Sequence, residues 1–205
     1  MVTFWEVCVN LLPVAGSQRD RWDGRADEIR RAAIAVFAAQ GFRRASMADI
    51  AEAAGLSRAA LYRYFANRAD VFRAAFDAIL NDGTDAALAA LHADGTTGQR
   101  LDGFLQRAYG DGYEGMASTP FGDELMEGRQ EFAADIAVAA ADRAHEGLRI
   151  FLLATADADT SNIERVIELL TLAPAGLKND QPHPTAYRVR LTTLAESAAA
   201  RLRDA

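Results

Sequence analysis

The chain has 205 residues, half of them hydrophobic, and a formal net charge of −7 at pH 7, which allows one or two compact domains with cores of their own. A single cysteine, Cys8, excludes an internal disulfide, and three scattered histidines, His92, His145 and His183, lack metal-ligand spacing, so neither a disulfide framework nor a structural zinc site organises the fold. Alanine is abundant, the 15 glycines and 5 prolines are clustered, and no alternating strand pattern competes; the composition predicts an all-α protein of the cytosol, without metal or cofactor.

The first sixteen residues, MVTFWEVCVNLLPVAG, are apolar but lack a basic n-region, contain Glu6 and Asn10, and stop at Pro13, well short of the roughly 20 residues of a membrane span. They are expected to be neither a signal peptide nor an anchor. Two readings stay open: a short helix packing Phe4, Trp5 and Leu11 on the body, or a tail that follows from a start codon placed too far upstream.

From Asp27 the periodicity becomes helical. Ile29, Ala33, Val36 and Phe37 fall on one stripe of a first helix over about 26–40, which Gly41 ends. After Phe42, Arg43 and Arg44, Ser46 with Asp49 reads as a capping box for a second short helix that turns Met47, Ile50, Ala51 and Ala54 inward. Gly55 supplies the positive φ of a tight turn, Leu56 plugs the interior, and Ser57 caps a third helix over about 58–64 with Leu61 and Phe65 on its inner side. Its outer side carries Arg58, Ala59, Ala60, Tyr62, Arg63 and Tyr64. Asn67 with Asp70 caps a fourth helix, in which Val71, Phe72, Ala75, Ile79 and Leu80 continue the core. The punctuation is that of a helix-turn-helix.

Charge agrees with that placement. Residues 19–73 hold eleven arginines against seven acids, an excess of four, which leaves −11 on the remainder. A basic module ahead of an acidic body is the footprint of a chain that meets a nucleic acid with one end only.

Beyond the fourth helix, helical segments are expected over Thr84–Leu91 and Gln99–Tyr113, separated by HADGTTG. Pro120 suits a first helical position, and Leu125, Phe132, Ile136, Ala140, Leu148 and Phe151 trace one long helix to about Ala154, with Asp123 and Glu124 favouring its N-terminal dipole. Ser161 with Glu164 reads as a capping box for a helix over about 161–173, PAGLKNDQPHP breaks it, and a last amphipathic helix covers about 185–203.

The run from Asp27 to Asp77, above all FRRASMADIAEAAGLSRAALYRYFANRADVF, resembles the DNA-binding domain of the TetR family of bacterial transcriptional repressors. The resemblance covers about 50 residues and implies an N-terminal three-helix helix-turn-helix domain over 19–80, joined by its fourth helix to a larger C-terminal helical bundle over 81–205, with residues 1–18 an extension. It implies a phosphate contact for Ser46, Tyr62 and Tyr64, and base-edge positions for Arg58 and Ala60. Arg63 is expected on base or phosphate, and Arg68 at the cap of the fourth helix beside amides that suit phosphate. Ser57, Arg43 and Arg44 complete the expected DNA-facing set.

The same resemblance implies a homodimer built on the last two helices, a palindromic double-stranded DNA operator, and a small, mainly apolar effector bound in the body. Phe104, Tyr109, Tyr113, Met116, Phe121, Met126, Phe132 and His145 are the side chains available to line its pocket. Two other readings compete: a regulator controlled by a protein partner, and a helical-bundle enzyme. The enzyme is disfavoured by the lack of a Gly-rich phosphate loop, an Glu-x-x-His pair or a motif-placed nucleophile.

Overall fold

The computed structural model describes residues 18–203, with side chains from Gly24 onward; both readings of residues 1–16 lie outside them. Among the described residues every regular element is helical, so the all-α expectation holds. No helix among them is long and apolar enough to cross a membrane.

The first helix, α1, runs Gln18–Gln40, about two turns earlier than its apolar stripe required. Ile29, Ala33, Val36 and Phe37 are buried as the stripe predicts. Gly41 ends it at φ +79, with its N–H on the Phe37 carbonyl at 2.8 Å. Helix α2, Met47–Ala53, opens on Ser46 with both halves of the capping box formed. Gly55 takes φ +63, and Ser57 Oγ accepts the Ala60 N–H at 3.1 Å to start α3, Arg58–Leu61. The expected helix over 58–64 makes a single α turn and then tightens, because the Arg63 and Tyr64 amides bond three residues back, to the Ala60 and Leu61 carbonyls.

Helix α4 spans Arg68–Leu91 without interruption. A separate helix from Thr84 was expected; instead Gly83 is carried inside one 24-residue helix. A mid-helix glycine costs about 1 kcal/mol, and the burial of Val71, Phe72, Ala75 and Phe76 before it and Ala87 and Leu91 after it outweighs that.

The remaining elements are α5 Thr97–Leu105, a π-helical turn Gln106–Gly110, α6 Asp111–Ala117, α7 Gly122–Phe132, α8 Ala134–Thr155, α9 Thr160–Gly176 and α10 Pro184–Arg203. The single long helix expected from Pro120 to Ala154 is therefore two, broken at Ala133, whose φ of −142 leaves the helical region. Ala133 is fully buried, and the Phe132 carbonyl just before it accepts Arg73 Nη1 at 2.9 Å. Tertiary docking makes this break; the local sequence carries no glycine or proline there. The cap of α9 is Asp159, which accepts the Asn162 N–H at 3.0 Å, rather than the Ser161–Glu164 box. Nor does PAGLKNDQPHP stop α9 at 173, since Pro174 sits inside its last turn.

The chain forms two compact units: residues up to Leu80 with Gly115–Ala137, and Asn81–Glu114 with Val138–Ala205. The first unit is built on α1–α3, the start of α4, and α7. Its core is an aromatic cluster in which Phe42 lies 4.9 Å from Phe72 and 5.0 Å from Phe132 between ring centroids. Residues 115–137 were expected within the C-terminal body and pack here instead, with Leu125 and Ala133 buried among these rings. The second unit buries Leu91, Leu101, Phe104, Leu105, Leu148, Leu152, Leu170, Tyr187 and Leu191 in one cluster.

Candidate nucleic-acid interface

Three local devices fix the outer side of α3: the Gly55 turn, the Ser57 cap, and the fully buried Leu61, which turns the opposite face to solvent. Arg58, Ala59, Tyr62 and Arg63 are exposed and Ala60 half-exposed. Two alanines at the helix start leave room for a groove wall. The Arg58 guanidinium lies over the Tyr62 ring, 5.6 Å from its centroid, with Nη2 3.4 Å from the phenol oxygen. The pair presents a cation and a hydroxyl side by side. Tyr64 differs from Tyr62: it is half-buried and packs against the core with Leu56 and Phe65, so its ring serves the fold before its hydroxyl can serve a ligand.

The loop between α1 and α2 brings Arg43, Arg44, Ser46 and Arg68 together, yet each already has protein partners. Arg68 Nη1 donates to the Arg43 and Ala45 carbonyls at 2.9 and 2.7 Å, and its guanidinium stacks 4.3 Å over the Phe42 ring. It is a strut for the loop. Arg44 Nε donates to the Gln40 carbonyl at 3.0 Å while its guanidinium lies 4.6 Å over Phe121. Ser46 Oγ donates to Asp49 Oδ2 at 2.7 Å, and this bond, with the Ser46 amide, holds the Asp49 carboxyl below the usual carboxylate range. Arg43 Nη2 meets Glu127 Oε2 at 2.7 Å, and its backbone N–H donates to Glu124.

The eight side chains expected to line one pocket are divided between the two units. Met116, Phe121, Met126 and Phe132 belong to the first, where Phe132 is part of the aromatic core and Phe121 carries Arg44. Phe104, Tyr109, Tyr113 and His145 belong to the second. Phe104 is fully buried core there. Burial pushes the Tyr109 phenol up to about 12 and pushes His145 down, and the two meet at 3.2 Å between hydroxyl and Nε2. Tyr113 donates to the Pro182 carbonyl at 2.7 Å and packs on Tyr187 at 4.6 Å. A cavity of about 590 Å³ in the second unit lies elsewhere, with Thr96, Arg100, Asp157, Ala199 and Leu202 among its walls.

Sequence reasoning missed the acids Glu124 and Glu127 as partners of the loop, because nothing local marks a contact across some eighty residues of chain. It also missed Arg188, which joins Asp111 at 2.7 Å, Glu114 at 2.6 Å and Gln106 at 3.1 Å. Gly110, in the π-helical turn, leaves the space this guanidinium uses: a β-carbon there would stand 3.0 Å from Arg188 Nη1.

Residues 29–75 match the family model described as bacterial regulatory proteins, tetR family. An uncharacterised HTH-type transcriptional regulator of Bacillus subtilis, YfiR, is 35% identical over 65 residues, which span 32% of each chain; the match thus covers about a third of that relative's length. Among solved structures, the TetR-family repressor AlkX of a Dietzia strain, implicated in n-alkane biodegradation, aligns over 87% of this chain and 95% of its own with a TM-score of 0.56 and 18% identity. The superantigen PfiT aligns over 87% and 95% with a TM-score of 0.62 and 20% identity. These structures share the fold, and the second shows that the fold by itself does not assign a role.

Proposed function

We propose, on the premise of the match between residues 29–75 and the family model of bacterial regulatory proteins, tetR family, that the whole chain is a transcriptional repressor that binds a palindromic operator as a homodimer and is released by a small, mainly apolar effector. The observation that carries the DNA-binding part is the outer side of α3, with Arg58 and Tyr62 exposed beside two small alanines on a helix fixed by Ser57 and Gly55. An arginine so placed can pair bidentately with guanine O6 and N7, worth about 1–3 kcal/mol of discrimination. Tyr62 supplies a phosphate contact, and Arg63 a base or phosphate contact, at the same edge.

The dimer is supported by large apolar side chains that the last two helices of the second unit leave in water. Leu169 and Leu172 of α9 and Val189 of α10 are 41, 66 and 61% exposed, although each helix buries an opposite stripe. Pairing with a second copy would cover them, and a two-fold dimer places two recognition helices about 34–36 Å apart along the duplex. The effector is supported by Tyr109, which packs against the apolar core of the second unit and whose hydroxyl meets His145 Nε2.

The test is a fluorescence-anisotropy titration of the protein against DNA flanking its own gene, at two salt concentrations with excess nonspecific competitor. Saturable binding that weakens steeply with salt and disappears in the Arg58→Ala/Tyr62→Phe double variant is the expected result. Selection from fragmented genomic DNA that returns no bound sequence would sink the reading.

A further inference from the structure

The loop that opens the helix-turn-helix is held from one side by two carboxylates of α7. Glu124 accepts the Arg43 backbone N–H, and its Oε2 stands where a β-carbon on Gly41 would come within 2.7 Å. That bond fixes where the Arg43 side chain begins. Three residues along α7, Glu127 Oε2 takes the Arg43 guanidinium at 2.7 Å, with 74 and 66% of the two side chains exposed. Arg44 and Arg68 are tied to backbone carbonyls and aromatic rings, so Arg43 is the arginine of this loop whose partner is another charged group in water.

A carboxylate and a phosphate recognise a guanidinium through the same planar donor edge. Glu127 holds the Nη2 edge of the Arg43 guanidinium, and a phosphate approaching that same edge competes with it. We propose that Glu127 is a built-in competitor for Arg43, occupying the guanidinium that would otherwise grip a duplex phosphate, and that α7 thereby lowers the affinity of the domain for DNA. The inference rests on the DNA-binding reading above. Because the pair is exposed, the exchange is fast and its energy modest: removing the competitor is worth roughly a two- to fivefold gain in affinity per protomer.

The experiment uses the full chain and a fluorescein-labelled mixed-sequence duplex at low ionic strength, read by anisotropy, with Glu127→Gln, Arg43→Gln and the double variant. Glu131→Gln serves as control, since it removes a charge from the same helix at an exposed position. Glu127→Gln is expected to tighten binding in the Arg43 background, beyond any gain from Glu131→Gln, and to change nothing once Arg43 is glutamine. Equal tightening in both backgrounds, no tightening, or a gain matched by Glu131→Gln overturns the inference alone and leaves the DNA-binding reading standing. If the unsubstituted protein binds no duplex under these conditions, both fall together.

Discussion

Replacing Arg68 by alanine and by lysine separates a strut from a phosphate ligand. The guanidinium makes two charge-assisted bonds to carbonyls, at 2.9 and 2.7 Å, and stacks on Phe42. Hydrogen bonds from a charged group contribute about 1.5 kcal/mol each and an aromatic stack about 0.5 kcal/mol, a sum near ~3.5 kcal/mol that partial exposure brings down to about 2 kcal/mol. Alanine should therefore lower the melting temperature by roughly 4–8 °C. Lysine keeps the charge but loses the fork and the stack, so about half of that loss should remain. Circular dichroism melts give the stability, and anisotropy at several salt concentrations counts phosphate contacts. A melting point unmoved in Arg68→Ala, together with a salt slope reduced by about 0.9 per protomer, would refute the strut and restore Arg68 to the DNA contacts.

Three further outcomes are expected. Gly41→Ala places a side chain at φ +79 and against the Glu124 carboxylate; a loss of about 1–2 kcal/mol should appear in the urea midpoint. Phe132→Ala should destabilise the first unit by about 2–3 kcal/mol, because the ring packs on Phe42 and Phe72, and a ligand role alone would leave the unfolding midpoint unchanged. The Arg73 guanidinium bonded to Asp135 lowers that carboxyl from 3.8 to about 2, so the stability it contributes is present above about pH 4 and lost as the pH falls towards 2; Asp135→Asn should flatten stability against pH in that window alone.

The helix-turn-helix was legible because each of its determinants is local. Gly41 and Gly55 take the positive φ that only glycine adopts freely, and Ser46, Ser57 and Asn67 cap the helices they precede. What failed was decided at a distance. Nothing in the sequence around Ala133 predicts a break, since alanine is the best helix former; the chain turns there because Phe132 and Ala133 dock into the first core. Ser161 with Glu164 was read as the cap of α9, and Asp159, two residues earlier, makes that cap instead. Apolar periodicity placed Phe132 inward without saying which of two cores it faces. For the same reason Glu124 was read as a complement to its own helix dipole, whereas its carboxylate also serves Arg43.

The first unit is discontinuous in the chain, and that orders events during synthesis. Residues 1–80 leave the ribosome with Phe42 and Phe72 uncovered, because the segment that packs on them ends only at Ala137. At translation rates of about 5–20 residues per second, the helix-turn-helix waits several seconds for its lid, with an aromatic patch open to chaperones. A fragment cut at residue 80 would carry that patch permanently, so the helix-turn-helix is not a module that can be excised at the end of its motif.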